Sequence, residues 1–149
     1  MTVKKGWHCA YEIHYHIVFP VKYRRALLRA DVETDLVRIG LEINERYEIE
    51  IEQMGADKNH IHLLCSAHPK ISIGTIVRIY KSITARELFR SFPELKKDLW
   101  GGEFWSDGYY AATVGQRNNW ETVYKYVKNQ GTTPPETLRR FTQLSLPGL

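Results

Sequence analysis

Residues 47–67, "YEIEIEQMGADKNHIHLLCSA", constrain the fold more than any other stretch. Two apolar segments flank the polar tetrapeptide "ADKN". The first alternates with a period of two, and alternate residues of a strand share a face. Asp, Lys and Asn between such segments are turn chemistry. The spacing predicts a β-hairpin. In its second arm Ile61, Leu63 and Cys65 point one way, and His60 and His62 point the other. A lone hairpin is marginal in water, so the rest of the chain must supply more strands and a covering layer.

It does so in a recognisable order. Residues 10–19, "AYEIHYHIVF", alternate, with Tyr11, Ile13, Tyr15, Ile17 and Phe19 on one face and Glu12, His14, His16 and Val18 on the other. Such a pattern reads as one half-buried strand, ended by Pro20 and followed by the basic turn "VKYRR". Residues 26–46 place Leu28, Val32, Leu36, Ile39 and Ile43 at spacings of three and four, the signature of an amphipathic helix. After the hairpin, Ser72 can cap a second helix whose buried stripe is Ile73, Ile76, Val77, Tyr80, Ile83 and Leu88. "WGGEFWSDGYYAATVG" (100–115) is aromatic and broken by glycines, and predicts a short hairpin closing in a fourth strand. "QRNN" connects to a third helix over about 120–130, capped by Asn118 or Asn119. The order matches an α+β, ferredoxin-like split βαβ plan. Two helices would cover one face of an antiparallel sheet, the other face would stay open to a ligand, and a C-terminal helix would follow. One domain over 1–130 is expected, with a tail over 131–149 that is loose or forms a short helix.

Composition narrows the function classes. A chain of 149 residues can bury a core without disulfides. Its two cysteines, Cys9 and Cys65, form no C-x-x-C pair, which argues against a thiolate zinc site. No apolar run approaches the ~20 residues of a membrane span, and no apolar stretch follows the N-terminal lysines. A cytoplasmic protein with no membrane partner is expected. The formal net charge of +4 leans toward a polyanionic partner.

Two constellations carry chemistry. His60 and His62 share a strand face and can reach one ion. H-x-H alone is a weak signal, because His14 and His16 repeat the spacing without the turn-then-strand context, so a third ligand is needed. On the third helix, at about 100° per residue, Trp120, Val123, Tyr124 and Val127 form one apolar stripe. Tyr126 lies about 120° from the centre of that stripe. Gln130 follows one turn later on the same side. The helix thus presents a phenol and a carboxamide together, on a face that packing does not need. Basic residues interleaved with an aromatic, Lys22, Tyr23, Arg24 and Arg25, and the α-helical Arg78, Lys81 and Arg86 are candidates for phosphate and base contacts.

Together, "YHIVFPVKYRR" (15–25), "DKNHIHLLCSA" (57–67), "IVRIYKSITARELFRSFPELKKDLWGGEFWSDGYYAATVG" (76–115) and "YVKNQ" (126–130) resemble the single-tyrosine HUH transposases (TnpA, the IS200-like insertion-sequence transposases). The resemblance spans residues 10–130 with several motifs in order. It implies that His60 and His62 are the two histidines of the HUH motif, Tyr126 the nucleophile and Gln130 the third metal ligand. Asn59 stands where relatives carry Asp or Asn, in support of the site. The implied activity is metal-dependent cutting and rejoining of single-stranded DNA through a 5′-phosphotyrosine. Mg²⁺ is the implied ion and Mn²⁺ its substitute. The implied partners are DNA hairpins and a second copy of the chain, because an element has two ends and each site one nucleophile. Two other readings stay open: a domesticated relative acting as a hairpin-directed nuclease, and a non-catalytic single-strand binding module on the same sheet.

Overall fold

The computed structural model describes residues 3–115, 124, 125, 127 and 128. Its strands are β1 (Lys4–Gly6), β2 (Cys9–Tyr11), β3 (Tyr15–Pro20), β4 (Ile49–Asp57), β5 (His60–Ala67) and β6 (Tyr110–Thr113). The long helices are α1 (Ala30–Arg46) and α2 (Ile73–Ser91). Short 3₁₀ turns occupy Lys22–Arg24 and Pro93–Asp98.

β4, β5, β3 and β6 form one sheet in that order, each neighbour antiparallel to the next. β3 and β4 therefore run parallel with β5 between them, and β5 and β6 run parallel with β3 between them. Two βαβ units, β3–α1–β4 and β5–α2–β6, interleave. This is the ferredoxin-like arrangement expected from the order of elements. Lys58 and Asn59 alone make the turn of the β4–β5 hairpin, with Asp57 opposite His60.

Each helix forms for a local reason and is then held by packing. α1 buries Val32, Leu36, Ile39 and Ile43, its three- and four-residue stripe. It begins at Ala30, four residues later than the apolar pattern suggests. Leu28 is buried, but ahead of the helix, and its N–H donates to the carbonyl of Lys58 in the hairpin turn. α2 starts at the expected cap, where Ser72 Oγ accepts from the Thr75 N–H at 3.1 Å. A cap of this kind is worth about 1 kcal/mol. The two helices pack on the face that carries Ile17, Phe19, Ile61, Leu63 and Cys65. His60 and His62 alternate with these residues, so they stand on the opposite face.

Four expectations need correction. The stretch 10–19 is not one strand. Its start, β2, pairs with β1 in a separate two-stranded sheet, and β3 begins only at Tyr15. Apolar alternation shows which residues share a face but not which strand they pair with. The β1–β2 approach is tight at Gly6, where a Cβ would lie 2.9 Å from Cys9 Sγ and 3.0 Å from His68 Nε2, so a larger residue would displace one of those side chains. The stretch 100–115 is not a hairpin. It enters through Gly101 and Gly102, both at positive φ, and only β6 joins the sheet. Phe104 and Trp105 are buried instead, with Trp105 Nε1 donating to Thr84 Oγ1 at 2.9 Å. Their β-prone chemistry serves to plug the core between α2 and β3, where Phe19 and Trp105 meet edge to face at 4.9 Å.

β4 is also less regular than its alternation suggests. Its register slips between Ile51 and Gln53, leaving Glu52 as the extra residue of a bulge. Before the bulge Ile49 and Ile51 face the core; after it Met54 and Ala56 do. One inserted residue flips the parity of the strand.

Finally, the second sheet face is not bare. His16, His62 and Leu64 on it are buried, while His60 is half-buried. Leu64 stands apart from the helix-side core, as do the buried Val114 and Val127. Residues 124, 125, 127 and 128 are helical, within the expected third helix. Tyr126, Gln130 and the 131–149 tail lie outside the described residues. Among the described residues no helix is long and apolar enough to cross a membrane.

Candidate active site

The β4–β5 turn ends where the site begins. Asn59 closes the two-residue turn, and its side-chain Oδ1 lies 2.7 Å from His60 Nδ1. A carboxamide oxygen only accepts, so His60 carries its proton on Nδ1 and presents the Nε2 lone pair. Two residues on, His62 returns to the same face, and the two ring centroids are 5.1 Å apart. Cys65, one of the core residues on the other face, takes no part.

Burial sets the charge state of both rings. It lowers the His60 pKa; the nearby Asp57 carboxylate opposes the shift and the Arg24 guanidinium adds to it. It holds His62 well below the usual histidine range, helped by His16 and His60. Both imidazoles are thus neutral near pH 7, the form that binds metal. Two neutral nitrogen donors that already share a face fit a divalent ion that takes its remaining ligands from elsewhere. Among the described residues, no group of three or more His, Cys, Asp or Glu forms a metal cluster. Within the described residues the donor set is the two imidazoles, with no cysteine among them.

His16 joins this site, although H-x-H spacing alone gave it no role. Register explains how. Val18 pairs with His62 and His16 pairs with Leu64, so His16 lies diagonally across the ladder from His62 on the same face. His16 Nε2 is 3.0 Å from His62 Nδ1. Burial pushes the His16 pKa down to about 4. Its parity in "AYEIHYHIVF" already put His16 on the face away from the helices. What that pattern lacked was the pairing of β3 with β5. His14 takes a separate partner, Glu52 of the bulge, at 2.5 Å.

The lowered values of His16, His60 and His62 make the metal-free protein acid-sensitive. An unfolded histidine takes up a proton near pH 6.5. The folded chain resists it, so the unfolded state binds more protons below that pH. Stability is then complete above about pH 6.5 and is lost as pH falls toward the folded values. For His16, mostly buried with a folded value of about 4, the full loss is about 3 kcal/mol. The Tm of the metal-free protein is expected to fall steadily from pH 7 to 4.5. A flat Tm over that range would mean that the rings are solvated.

Beside the histidines sits the basic turn. The Val21 N–H donates to the Asn59 carbonyl at 2.8 Å, which ties the turn to the residue before His60. Tyr23 and Arg24 adopt positive φ, 59° and 52°. Such backbone costs about 1–3 kcal/mol per residue. Lys22 Nζ is bonded to Glu103 at 2.8 Å. Tyr23 lies parallel to Trp100, with centroids 5.7 Å apart and planes 17° apart. Both rings are exposed, Trp100 by 75%. Trp100 is an aromatic that the sequence reading passed over. Only its exposure and its place against Tyr23 mark it, because in sequence it is one more β-prone residue beside two glycines.

The remaining cationic candidates lie elsewhere. Arg78 and Arg86 are exposed on α2, which packs on the helix-covered face. Lys81 donates to the carbonyls of Ser106 at 2.7 Å and Gly108 at 2.6 Å, so two of its three N–H groups hold the loop before β6. Arg24 stays near enough to His60 to lower its pKa, and Arg25 is exposed beside it in the chain.

Comparison with known proteins places this arrangement. The family described as "Transposase IS200 like" matches residues 9–130. The ISDra2 transposase TnpA of Deinococcus radiodurans is 35% identical over 130 residues, covering 87% of this chain and 92% of that protein. The transposase for insertion sequence element IS200 of Salmonella typhimurium is 31% identical over 141 residues, 95% of this chain and 86% of that one. A crystal structure of a Deinococcus radiodurans protein described as a transposase superposes with a TM-score of 0.69 at 31% identity, covering 85% of this chain and 97% of that one. A REP-associated tyrosine transposase bound to a REP hairpin shares the fold, with a TM-score of 0.57 at 12% identity over 85% of this chain and 70% of that one. With its histidine pair, its split βαβ sheet and a family match over most of its length, the chain belongs to the IS200-like transposases.

Proposed function

We propose that the chain cuts and rejoins single-stranded DNA at insertion-sequence ends, with Tyr126 as nucleophile and His60, His62 and Gln130 as ligands of a divalent ion. The observation that carries the reading is the neutral His60–His62 pair on one sheet face, beside a turn of cations and stacked aromatics.

The Tyr126 oxygen attacks phosphorus as its proton leaves. The bond from phosphorus to the 3′ oxygen breaks, and that oxygen departs as a 3′-hydroxyl. A 5′-phosphotyrosine remains, so the diester energy is kept and rejoining reverses the step without ATP. A free tyrosine has a pKa near 10 and is a weak nucleophile at neutral pH. A bound Mg²⁺ would orient the scissile phosphate and offset its growing charge. Imidazole and carboxamide ligands make a weak Mg²⁺ site without substrate, and imidazole suits Mn²⁺ better. Lys22, Arg24 and Arg25 would meet the backbone near the scissile phosphate, and Arg78 and Arg86 would meet more distant duplex. Lys81 would act by holding the 106–108 loop. A homodimer supplies the second nucleophile that two element ends require. The hairpin partner is supported by the hairpin bound to the REP-associated relative in fold.

The direct test is incubation with labelled single-stranded ends and Mg²⁺. A covalent protein–DNA species on a denaturing gel is expected, and its absence under EDTA. A chain that binds the ends but never forms this species would be a binding module.

Tyr23 and Trp100 add a further expectation. Stacking of one unpaired base on an aromatic is worth about 1–3 kcal/mol. Trp100→Ala should weaken single-stranded binding by roughly 5- to 100-fold, read by fluorescence anisotropy, with an unchanged Tm because the ring is exposed. Equal affinity for duplex and single strand in the wild type would remove the stacking role.

A further inference from the structure

We infer that His16 is a positioning residue that fixes His62 in the tautomer required of a metal ligand. The inference rests on the metal-site reading of His60 and His62 and names what prepares the second of them.

His16 Nε2 and His62 Nδ1 are 3.0 Å apart, and both rings are buried to within 3% of full exclusion. The centroids are 5.2 Å apart with planes 19° apart, and the 3.0 Å contact between ring nitrogens at that separation puts the rings near edge to edge rather than face to face. Two neutral imidazoles that meet nitrogen to nitrogen hold one proton between them. If His62 Nδ1–H donates, His62 Nε2 keeps its lone pair. If His16 Nε2–H donates, His62 must carry its proton on Nε2, and no lone pair is left there for a metal.

The role of metal ligand, which His62 shares with His60, decides between the two arrangements. The His60 Nδ1 proton is fixed by Asn59 Oδ1, so that ring offers Nε2. His62 Nδ1 faces His16, so only Nε2 is left for an ion, and a lone pair there requires His62 to donate from Nδ1 as well. His16 then accepts at Nε2 and carries its own proton on Nδ1. The usual partner of a metal-bound histidine is a carboxylate, a carbonyl or water. Here an imidazole on the neighbouring strand does the work, and it adds no charge to the site.

The geometry also explains why the ring sits where it does. His16 is opposite Leu64 and His62 is opposite Val18, a diagonal that only the β3–β5 register creates. A one-residue slip would turn His16 into the helix-side core.

The full chain is labelled with ¹⁵N and its histidines are read by long-range ¹H–¹⁵N NMR in the metal-free state. The wild type is expected to show His62 protonated at Nδ1 and unprotonated at Nε2. His62 protonated at Nε2 would overturn the proposal without any variant. His16→Phe keeps a ring but offers no acceptor, and should lower Mn²⁺ affinity by about 10- to 100-fold in an EPR titration. His16→Gln keeps an acceptor oxygen and should recover most of that loss. Equal Mn²⁺ affinity in His16→Phe and wild type would also overturn it. Should His16→Phe fail to fold, the wild-type spectrum and the Gln variant still decide. A wild type that binds no Mn²⁺, yet shows the Nδ1–H tautomer, would sink the metal-site reading and leave the hydrogen-bond assignment intact.

Discussion

Tyr126→Phe is expected to leave no covalent protein–DNA species on a denaturing gel, while binding to hairpin ends persists. The substitution deletes one oxygen and keeps the ring, so a helix that packs through its other face should be undisturbed. Removing a covalent nucleophile costs several orders of magnitude in well-studied enzymes. Water could still attack the phosphate slowly, but that route leaves free ends and no adduct. DNA affinity should hold, because the phosphate contacts are assigned to cations and not to the phenol. The neighbouring phenol offers a built-in comparison. Tyr124 is half-buried on a helical segment in which Val127 is fully buried, as its place in the apolar stripe requires. Full adduct formation by Tyr126→Phe would move the nucleophile to Tyr124 or off this helix altogether.

His60→Ala is expected to reduce cleavage by at least about a hundredfold, since metal stabilisation of a phosphoryl transition state is worth several kcal/mol. It should also flatten the dependence of rate on Mn²⁺ concentration, which a purely structural histidine would not do. The fold should tolerate the change. His60 is half-buried at a hairpin turn, and its bond to Asn59 contributes about 1 kcal/mol. His62→Ala is a poorer first test, because it would also strip a buried partner from His16. Cleavage that continues at the wild-type rate in EDTA would end the metal assignment, whatever the variant does.

The two experiments probe different halves of one claim. The first concerns a helix read from a wheel: two polar side chains, one turn apart, on a face free of packing. The second concerns a strand read from its alternation. Only the second half has its side chains among the described residues, and there the alternation of "HIHLLCSA" sorted them correctly. Ile61, Leu63 and Cys65 went to the helix-packed core, and His60 and His62 went to the other face. The α2 cap at Ser72 and the stripe of α1 were equally legible. Each depends on neighbours within four residues, which a linear pattern records directly.

Where the pattern misled, the missing information was always a distant partner. Residues 10–19 alternate throughout, yet β2 pairs with β1, while β3 pairs with β5 and β6. The aromatics of 100–115 have strand chemistry, but Phe104 and Trp105 are drawn into a core gap that only the assembled helix and sheet create. Glu52 was one more polar strand residue until the bulge aimed it at His14.

The sequence by itself determined the order of elements, the split βαβ plan and the face on which each imidazole stands, because these follow from backbone periods of 2 and 3.6 residues. Tertiary structure alone decided strand pairing, the parity change in β4, the exposed Tyr23–Trp100 pair and the contact of His16 with His62 across 46 residues of chain. Register between strands is set by the packing of the whole sheet against its helices, and no local stretch of residues contains that sum.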